Sequence, residues 1–527
     1  MIKVQNPILT GFHPDPSICR GRDRYYIATS TFEYFPGLTI AASDDLINWE
    51  TIARPLDCKR LLDMEGNLTG SGVWAPSLTY HDDMYYLVYS NMKTWANGPF
   101  KDCQNFLITS RDIEGPWSDP VYMGSSGFDA SLFHDDDGKK YIVNMEWDHR
   151  QDKGTPRFSG ILVQEIDPKT FARIGEAKKV FRGTSYGFVE GPVIHKVDGY
   201  YYLLCAEGET GYGHAESVAR SKNIFGPYEV HPQEILITAA DTDAYLQKAG
   251  HGNLLQDVDG NWYFAHLCGR PLSKELMRCP LGRETAIQNV CWKDGWPYLM
   301  GGGTTPRDFY EVPFGEIKEK PKSITYDIHS KQFDLDFQSL RVPLGEACRK
   351  EGNAIVLVGK QSLYSLSKQS LLARRQQHFN FKFSICLYHD PTSFQHMAGL
   401  IYRYNEDNMY YLFSSYDESR NCKVLNVATF DKAVVHYHLD EAIPYEGTVE
   451  LCVEAHGAQA QFSYVTADGV AHPIGEVLDV SILSDDYPTP RGFTGAYVGM
   501  CAQDLNSYKH EATFTNITYT NLDPANG

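Results

Sequence analysis

The sequence predicts an all-β protein in which a five-bladed β-propeller is followed by a β-sandwich. In roughly the first 300 residues, one pattern recurs five times: an anchor residue beside an apolar strand, an acidic turn and an aromatic strand. After about residue 325 the repeat is lost, and alternating apolar and polar residues take its place. Such alternation is typical of half-buried strands, and a repeat of this length is typical of propeller blades.

The five repeats predict a shared cavity. Their anchors lie 55 to 61 residues apart and are Asp15, Trp74, Asp129, Glu190 and His251. Each anchor is followed by a short strand, a turn rich in acidic residues or glycine, and a strand rich in tyrosine or tryptophan. Because the inner strands of all blades face the central axis, equivalent positions should converge there.

Glu190 is the most informative of these anchors. It lies between the apolar pair Phe188-Val189 and the pair Gly191-Pro192. A tight, partly desolvated position raises the pKa of a carboxyl group and suits it to donate a proton near neutral pH. From these residues alone, an ion-paired glutamate at a strand end is the alternative interpretation.

The domain limits follow from composition. Between about residue 300 and residue 324 the chain has three consecutive glycines and three spaced prolines, which indicates a linker. We therefore assign residues 1–305 to the propeller, residues 306–324 to the linker and residues 325–527 to the sandwich.

Three stretches of the second half carry local predictions. Residues 379–387 alternate strictly, which predicts a strand with one buried face. Residues 409–413 are a continuous apolar run, which predicts a strand buried on both faces. Residues 369–377 have helical composition and predict a short helix.

Charge and targeting signals limit the partners. The net charge of −19 argues against nucleic acid and anionic membranes, which require a basic face. The chain has no long apolar run, and its first residues lack the apolar core of a secretory signal. Its 12 cysteines are scattered without a Cys-x-x-Cys pair, which favours reduced thiols. We therefore expect a cytoplasmic protein.

Six motifs in order then carry a resemblance. They are Phe-His-Pro-Asp-Pro-Ser at 12–17, Gly-Val-Trp-Ala-Pro at 72–76, Gly-Phe-Asp-Ala-Ser at 127–131, Val-Glu-Gly-Pro at 189–192, Ala-Gly-His-Gly at 249–252 and Leu-Gly-Arg-Glu-Thr at 281–285. Together they resemble glycoside hydrolase family 43, and in particular its β-xylosidase branch with a C-terminal, concanavalin-like (jelly-roll) sandwich. The resemblance covers nearly the whole chain.

The resemblance implies an inverting hydrolase with three carboxylates. Asp15 would be the general base that activates water, and Glu190 would be the general acid that protonates the leaving oxygen. Asp129 would orient Glu190 and tune its pKa. Inversion needs one ionised and one protonated carboxyl group, separated by about 6.5–9.5 Å so that a water molecule fits.

The resemblance also implies a set of substrate-binding residues. Arg283 would contact the bound sugar and the base, and His251 would lie at the bottom of the pocket. Trp74 and Phe32 would form its walls. A sandwich loop, Arg491-Gly492-Phe493-Thr494, would close the pocket with Phe493.

The implied function is exo-acting release of xylose from the non-reducing end of short β-1,4-xylo-oligosaccharides. An α-L-arabinofuranosidase, or both activities in one pocket, is the first alternative, and a non-catalytic sugar-binding propeller is the second. No cofactor would be required, although a structural divalent cation such as calcium near the propeller axis is compatible with the resemblance. A homodimer or homotetramer is expected.

Overall fold

A computed structural model describes residues 1–95, 98–150, 157–466, 469–488 and 492–524. The chain divides into two compact units. The first contains Met1–Glu33, Gly37–Arg270 and Arg283–Lys318, and the second contains Tyr34–Pro36, Pro271–Gly282 and the chain from Glu319 onward. The domain limits drawn from the sequence stay a prediction.

The first unit is a five-bladed β-propeller, as predicted. Each blade is a four-stranded antiparallel sheet with its strands in chain order. The first blade contains Ser17–Arg20, Tyr25–Thr29, Thr39–Ser43 and Glu50–Ala53, and the second contains Gly72–His81, Met84–Thr94, Asp102–Ser110 and Val121–Gly124. The third contains Ser131–His134, Lys140–Trp147, Phe158–Ile166 and Arg173–Phe181, and the fourth contains Glu190–Val197, Tyr200–Glu207, Ala215–Ser221 and Glu229–Thr238. The fifth contains Gln247–Gln256, Trp262–Gly269, Arg283–Lys293 and Trp296–Leu299.

The acidic turns of the repeat are the hairpin connections between the first two strands of each blade. In the fourth blade, Val197 pairs with Tyr200, so that Asp198 and Gly199 alone form the turn. Their φ angles are 49° and 76°. Two left-handed residues in succession match the twist of the flanking strands, and aspartate and glycine tolerate that conformation best.

The ring is closed where its two ends meet. Ile2–Gln5 pairs with Phe309–Val312 as a separate two-stranded sheet. Buried side chains of the first and fifth blades, including Ile18 and Ile287, share one apolar cluster with this pair of strands. Burial of that cluster joins the beginning of the propeller to its end.

The second unit is a sandwich of two antiparallel sheets, also as predicted. In spatial order, one sheet contains Cys348–Glu351, Ala354–Val358, Glu511–Asn521, Asn380–His389, Thr448–His456, Gln459–Val465 and Ala471–Asp479, with Ser323–Thr325 beside Glu511–Asn521. The other contains Val434–Tyr437, Cys422–Asp431, Met409–Asp417, His396–Arg403, Tyr497–Asp504, Ser370–Arg375, Phe337–Leu340 and Tyr34–Phe35, with Ile443–Pro444 beside Cys422–Asp431.

Helical structure is short. The α-helix Lys331–Asp336 is capped by the Ser330 side chain, which accepts the N–H of Phe333. The 3₁₀ segments are Gly345–Ala347, Leu439–Glu441 and Val480–Leu483. In the part of the chain that the structure describes, no helix has the length and apolar character needed to cross a membrane.

Two of the three local predictions for the sandwich are confirmed. In the strand Asn380–His389, buried side chains alternate with half-buried or exposed ones, and residues 409–413 are all buried. The helix predicted over 369–377 is wrong, because Ser370–Arg375 is a strand. This strand pairs with Tyr497–Asp504 on one side and Phe337–Leu340 on the other, so sheet pairing overrides its local helical preference.

Candidate active site

Each repeat anchor lies just before, or within the first half of, the first strand of its blade. Asp15 and Asp129 lie two residues before their strands, whereas Glu190 is the first residue of its strand. Strand pairing shifts register just after Trp74 and just after Glu190, and on both sides of Gly250, which precedes His251. Bulges of this kind redirect side chains and are frequent beside active sites.

Three of the anchors have strained backbones. The φ angles of Asp15, Asp129 and His251 are 54°, 54° and 47°. A left-handed conformation costs free energy in residues with a side chain, so the surrounding contacts must hold these residues in place. Strain repeated at equivalent positions of different blades marks this end of the inner strands as a functional site.

Asp15 is held as an anion. Arg283 donates from Nη1 to Oδ1 over 2.9 Å, and Ser30 donates from Oγ to Oδ2 over 2.6 Å. Nδ1 of His251 lies 3.6 Å from Oδ1. Burial alone would raise the pKa of Asp15, but Arg283, His251 and Ser30 together lower it below the ordinary value for an aspartate. Asp15 is therefore ionised near neutral pH.

Main-chain bonds fix Arg283 beside Asp15. The N–H of His13 donates to the carbonyl of Arg283 over 2.9 Å. Thr285, two residues after Arg283, donates its hydroxyl to the carbonyl of the same His13 over 2.6 Å. The guanidinium also lies 5.4 Å from the ring centre of Phe32. Arg283 is therefore positioned by the first blade as well as by its own strand.

Asp129 and Glu190 are buried acids that influence each other. Oδ2 of Asp129 accepts the N–H of Gly191 over 3.2 Å, so Asp129 is bonded to the peptide that follows Glu190. Burial, with the charge of Asp15, raises the pKa of Asp129 to about 8. Burial, with the charges of Asp129 and then Asp15, raises the pKa of Glu190 well above its usual value. Glu190 therefore retains its proton while Asp15 is ionised.

His251 lies between Asp15 and the backbone of Gly191. One ring nitrogen faces Asp15, and the other faces Gly191, where an added Cβ would lie only 2.7 Å from Nε2. Gly191 has a φ of 55°, so both the backbone and the histidine ring require glycine there. Burial lowers the pKa of His251, which keeps its ring neutral.

Aromatic rings line the same end of the propeller. The ring centres of Phe32 and Trp74 are 5.7 Å apart, and those of Trp74 and Phe128 are 5.3 Å apart. The series continues from Phe128 to Trp147 at 6.3 Å and from Trp147 to Phe158 at 5.4 Å. Rings of this kind present flat apolar faces on which a sugar ring can stack.

The structure therefore brings together seven of the eight site residues predicted from the sequence: Asp15, Phe32, Trp74, Asp129, Glu190, His251 and Arg283. Phe493 belongs to the second unit, where it is half-buried. Its expected role in closing the pocket stays a prediction. Arg491 of the same loop lies outside the described residues.

Three polar residues of the site have no signal in the repeat. Ser30 follows the second strand of the first blade and bonds Asp15. His214 packs against Gly250, where an added Cβ would lie 2.6 Å from its ring. Glu216 is fully buried and accepts the N–H of Gly252 over 3.1 Å. The last two hold the residues on either side of His251.

The residues around His251 do not form a cation site by themselves. Within the ranges that the structure describes, no group of three or more His, Cys, Asp or Glu side chains is placed to hold a metal ion. The guanidinium of Arg283, which bonds Asp15 here, would oppose a second positive charge.

The arrangement can perform acid–base chemistry. It combines an ionised carboxylate, a carboxyl group that keeps its proton, and aromatic rings in one buried place. Pairs of carboxyl groups whose environments separate their pKa values are the usual machinery of glycosidic bond cleavage.

Two family models match the chain. "Glycosyl hydrolases family 43" matches residues 4–297, and "Beta xylosidase C-terminal Concanavalin A-like domain" matches residues 325–520. These ranges cover the propeller and the sandwich, respectively.

Whole-length relatives agree with these matches. The chain is 44% identical to "Xylosidase/arabinosidase 43B" of Humicola insolens, over 98% of both chains. It is 40% identical to "Beta-xylosidase" of Bacillus subtilis (strain 168), over 98% of this chain and 99% of that protein. A crystal structure of xylan beta-1,4-xylosidase from Bacillus halodurans C-125 superimposes with a TM-score of 0.94 and 43% identity, and covers 98% of this chain and 100% of that one.

Proposed function

Because the chain belongs to glycosyl hydrolase family 43, we propose that it is an exo-acting hydrolase that releases xylose from the non-reducing end of short β-1,4-xylo-oligosaccharides by single-step inversion. One observation carries the proposal. In a single buried site, Arg283 keeps Asp15 ionised while burial and neighbouring charge keep Glu190 protonated.

The proposed reaction has one step. Asp15 accepts a proton from a water molecule, whose oxygen forms the new bond to the anomeric carbon. The bond from that carbon to the glycosidic oxygen breaks, and Glu190 gives its proton to the departing oxygen. Attack from the face opposite the leaving group converts a β-linkage into an α-product.

The surrounding residues favour this separation of roles. Positive charge builds up on the sugar ring in the transition state, and the ionised Asp15 stabilises it. Asp129 is bonded to the N–H of Gly191 and therefore fixes the backbone that carries Glu190. Arg283 limits the mutual repulsion of the carboxylates, since it opposes the rise in pKa of both Asp129 and Glu190.

Names of relatives support xylose as the sugar. The Humicola insolens relative is called a xylosidase/arabinosidase, and the Bacillus subtilis relative a beta-xylosidase. The first name also supports α-L-arabinofuranosidase, or both activities in one pocket, as the second candidate.

The experiment compares kcat/KM for 4-nitrophenyl β-D-xylopyranoside and 4-nitrophenyl α-L-arabinofuranoside. A higher value for the xyloside supports the proposal, and a higher value for the arabinofuranoside favours the second candidate. Binding of both sugars without turnover would instead support a sugar-binding propeller.

Two further parts of the proposal rest on the sequence and the resemblance. They are a cytoplasmic location and a homodimer or homotetramer. Cell fractionation and light scattering test them directly.

A further inference from the structure

The second unit contains a groove that the proposed hydrolysis does not use. It has a volume of about 690 Å³ and lies across Cys422–Asp431, Met409–Asp417, His396–Arg403 and Tyr497–Asp504, four neighbouring strands of one sheet. Along these strands, side chains of the sandwich core alternate with side chains of the groove. The groove therefore lies on the face of the sheet opposite the core. Sites for small ligands commonly have volumes of roughly 300–1,000 Å³.

Strand register places the residues of the groove floor. Phe413 lies opposite Asn426 on one neighbouring strand and opposite Gly399 on the other. An added Cβ at Gly399 would lie only 2.7 Å from Cα of Phe413, so the two strands pack closely there. Gln503 lies opposite Met397 nearer the end of the sheet. The floor is thus an aromatic ring bordered by two amide side chains.

Both amides have hydrogen-bonding capacity left over. Asn426 is only 3% exposed, and its Oδ1 accepts the N–H of Val427 over 2.7 Å. Among the described residues, its Nδ2 has no hydrogen-bond partner. Nε2 of Gln503 donates to Sδ of Met397 over 3.1 Å, and a thioether is a weak acceptor. Nδ2 of Asn426 and the weakly bonded Nε2 of Gln503 are therefore donors that a ligand in the groove can use.

The rim supplies exposed apolar surface. Phe394 is 63% exposed, Tyr437 52% and Leu439 64%. Oε1 of Glu418 accepts the main-chain N–H of Phe394 over 2.8 Å and fixes that loop at the edge of the groove. Single exposed apolar residues are ordinary, but several around one cavity mark an interaction site.

Charge narrows the class of ligand. Among the described residues that line the groove there are three carboxylates, Asp417, Glu418 and Asp440, and no lysine or arginine. Arg420, outside this lining, pairs with Asp417, so Glu418 and Asp440 carry the negative charge of the groove. Negative lining disfavours an anionic ligand. Carboxylates and amides bind hydroxyl groups, while the aromatic rings bind flat apolar faces. A neutral sugar chain has both kinds of surface.

We propose that this groove is a second, non-catalytic binding site for a neutral oligosaccharide, with Asn426 and Gln503 as the hydrogen-bonding residues and Phe394 and Tyr437 as the stacking residues. The choice of a xylo-oligosaccharide as its ligand rests on the proposed function. Occupation of the groove would hold substrate chains near the enzyme without cleaving them.

Calorimetric titration with xylotetraose tests the proposal. Glu190→Gln serves as the background so that the sugar is not hydrolysed. Adding Asn426→Leu or Tyr437→Ala should lower the number of bound sugars per chain by one, or weaken one class of sites about tenfold or more. Tyr388→Ala is the matched control, because Tyr388 is 51% exposed on the other sheet. It should change nothing.

An unchanged number and affinity of sites in both groove variants would overturn the proposal. It would also fail if the groove variants lowered the oligomeric mass in light scattering, since the groove would then be an interface between copies of the chain. Failure of the proposed function gives a different result: the wild type would hydrolyse no xyloside, whatever binds in the groove. When the groove substitutions are made in the otherwise wild-type chain, which keeps Glu190, kcat/KM for the nitrophenyl xyloside should stay unchanged.

Discussion

Nη1 of Arg283 lies 2.9 Å from Oδ1 of Asp15, and the two side chains are 3% and 5% exposed. The pair joins the fifth blade to the loop that precedes the first inner strand, 268 residues away in the chain. A buried carboxylate without such a partner would take up a proton. The base of the proposed reaction therefore depends on the contact between the two ends of the propeller.

Replacing Arg283 should change the acidic limb of the pH profile. In Arg283→Met, burial still raises the pKa of Asp15, but its largest opposing influence is gone. Asp15 then becomes protonated at a higher pH, and the acidic limb of kcat/KM should move up by about 1–3 pH units. Arg283→Lys keeps the charge and should move the limb less. An acidic limb at the wild-type pH in Arg283→Met would contradict this account of Asp15.

Replacing Asp129 should change the basic limb instead. After burial, the charge that Asp129 acquires above about pH 8 is the next largest cause of the raised pKa of Glu190. In Asp129→Asn this charge is missing, so the pKa of Glu190 falls. Glu190 should then lose its catalytic proton, and kcat/KM should decline, at a pH lower by about one unit. Asp137→Asn, an exposed change in a turn of the same blade, is the control. An unshifted basic limb would show that Asp129 does not tune Glu190.

The identities of acid and base can be separated by the leaving group. Asp15→Ala should reduce kcat by about 100-fold or more on every substrate, because activation of water is always needed. Glu190→Ala should do the same for xylobiose but should lose much less with 2,4-dinitrophenyl β-D-xylopyranoside, whose leaving group needs no proton. Steady-state kinetics on both substrates give the comparison. Equal losses would be incompatible with Glu190 as the acid.

Glu216 predicts a pH-dependent cost to stability. Burial raises its pKa well above the ordinary value, so the folded protein holds this proton while the unfolded chain releases it above about pH 4.5. Stability is therefore lost as pH rises from that value toward the folded pKa. Glu216→Gln removes the cost, so its Tm advantage over the wild type should grow between pH 5 and pH 8. Glu229→Gln, an exposed change on the next strand, should show no such trend. A constant advantage of Glu216→Gln would contradict the raised pKa.

His389 and His510, which pack together in the second unit, predict that it is sensitive to acid. The ring centres of His396 and His510 are 4.0 Å apart, and those of His389 and His510 are 5.0 Å apart. Burial, with the neighbouring imidazoles, lowers the pKa of His389 and of His510. Below about pH 6.5 the unfolded chain binds protons that the folded chain does not, so stability should fall as pH falls.

Urea unfolding at pH 7 and pH 5 measures this effect. All eight tryptophans precede residue 300, so their fluorescence reports on the first unit, whereas far-ultraviolet circular dichroism also reports on the second. The dichroism midpoint should fall more than the fluorescence midpoint on acidification. His510→Gln should reduce the difference. Equal shifts of both midpoints would argue against the histidine cluster as the cause.

The sequence predicts the propeller and the principal carboxylates because the repeat marks equivalent positions. Asp15, Asp129 and Glu190 carry their signal in neighbouring glycine, proline and apolar residues. His214 lies just before a middle strand and Glu216 lies within it, where no anchor motif exists. Only tertiary packing brings them to His251.

The erroneous helix has a related cause. Ser370–Arg375 contains residues that tolerate a helix, and its strand conformation depends on partners more than 100 residues away on one side. Local residue propensity contains no information about a strand partner so far away in the sequence.

Proton NMR during the first minutes of xylobiose hydrolysis tests the central claim most directly. With Asp15 activating water and Glu190 protonating the leaving oxygen, α-xylose should appear first, and β-xylose should follow only as the anomers equilibrate. Initial formation of β-xylose would mean a retaining reaction and would contradict the water-activating role of Asp15.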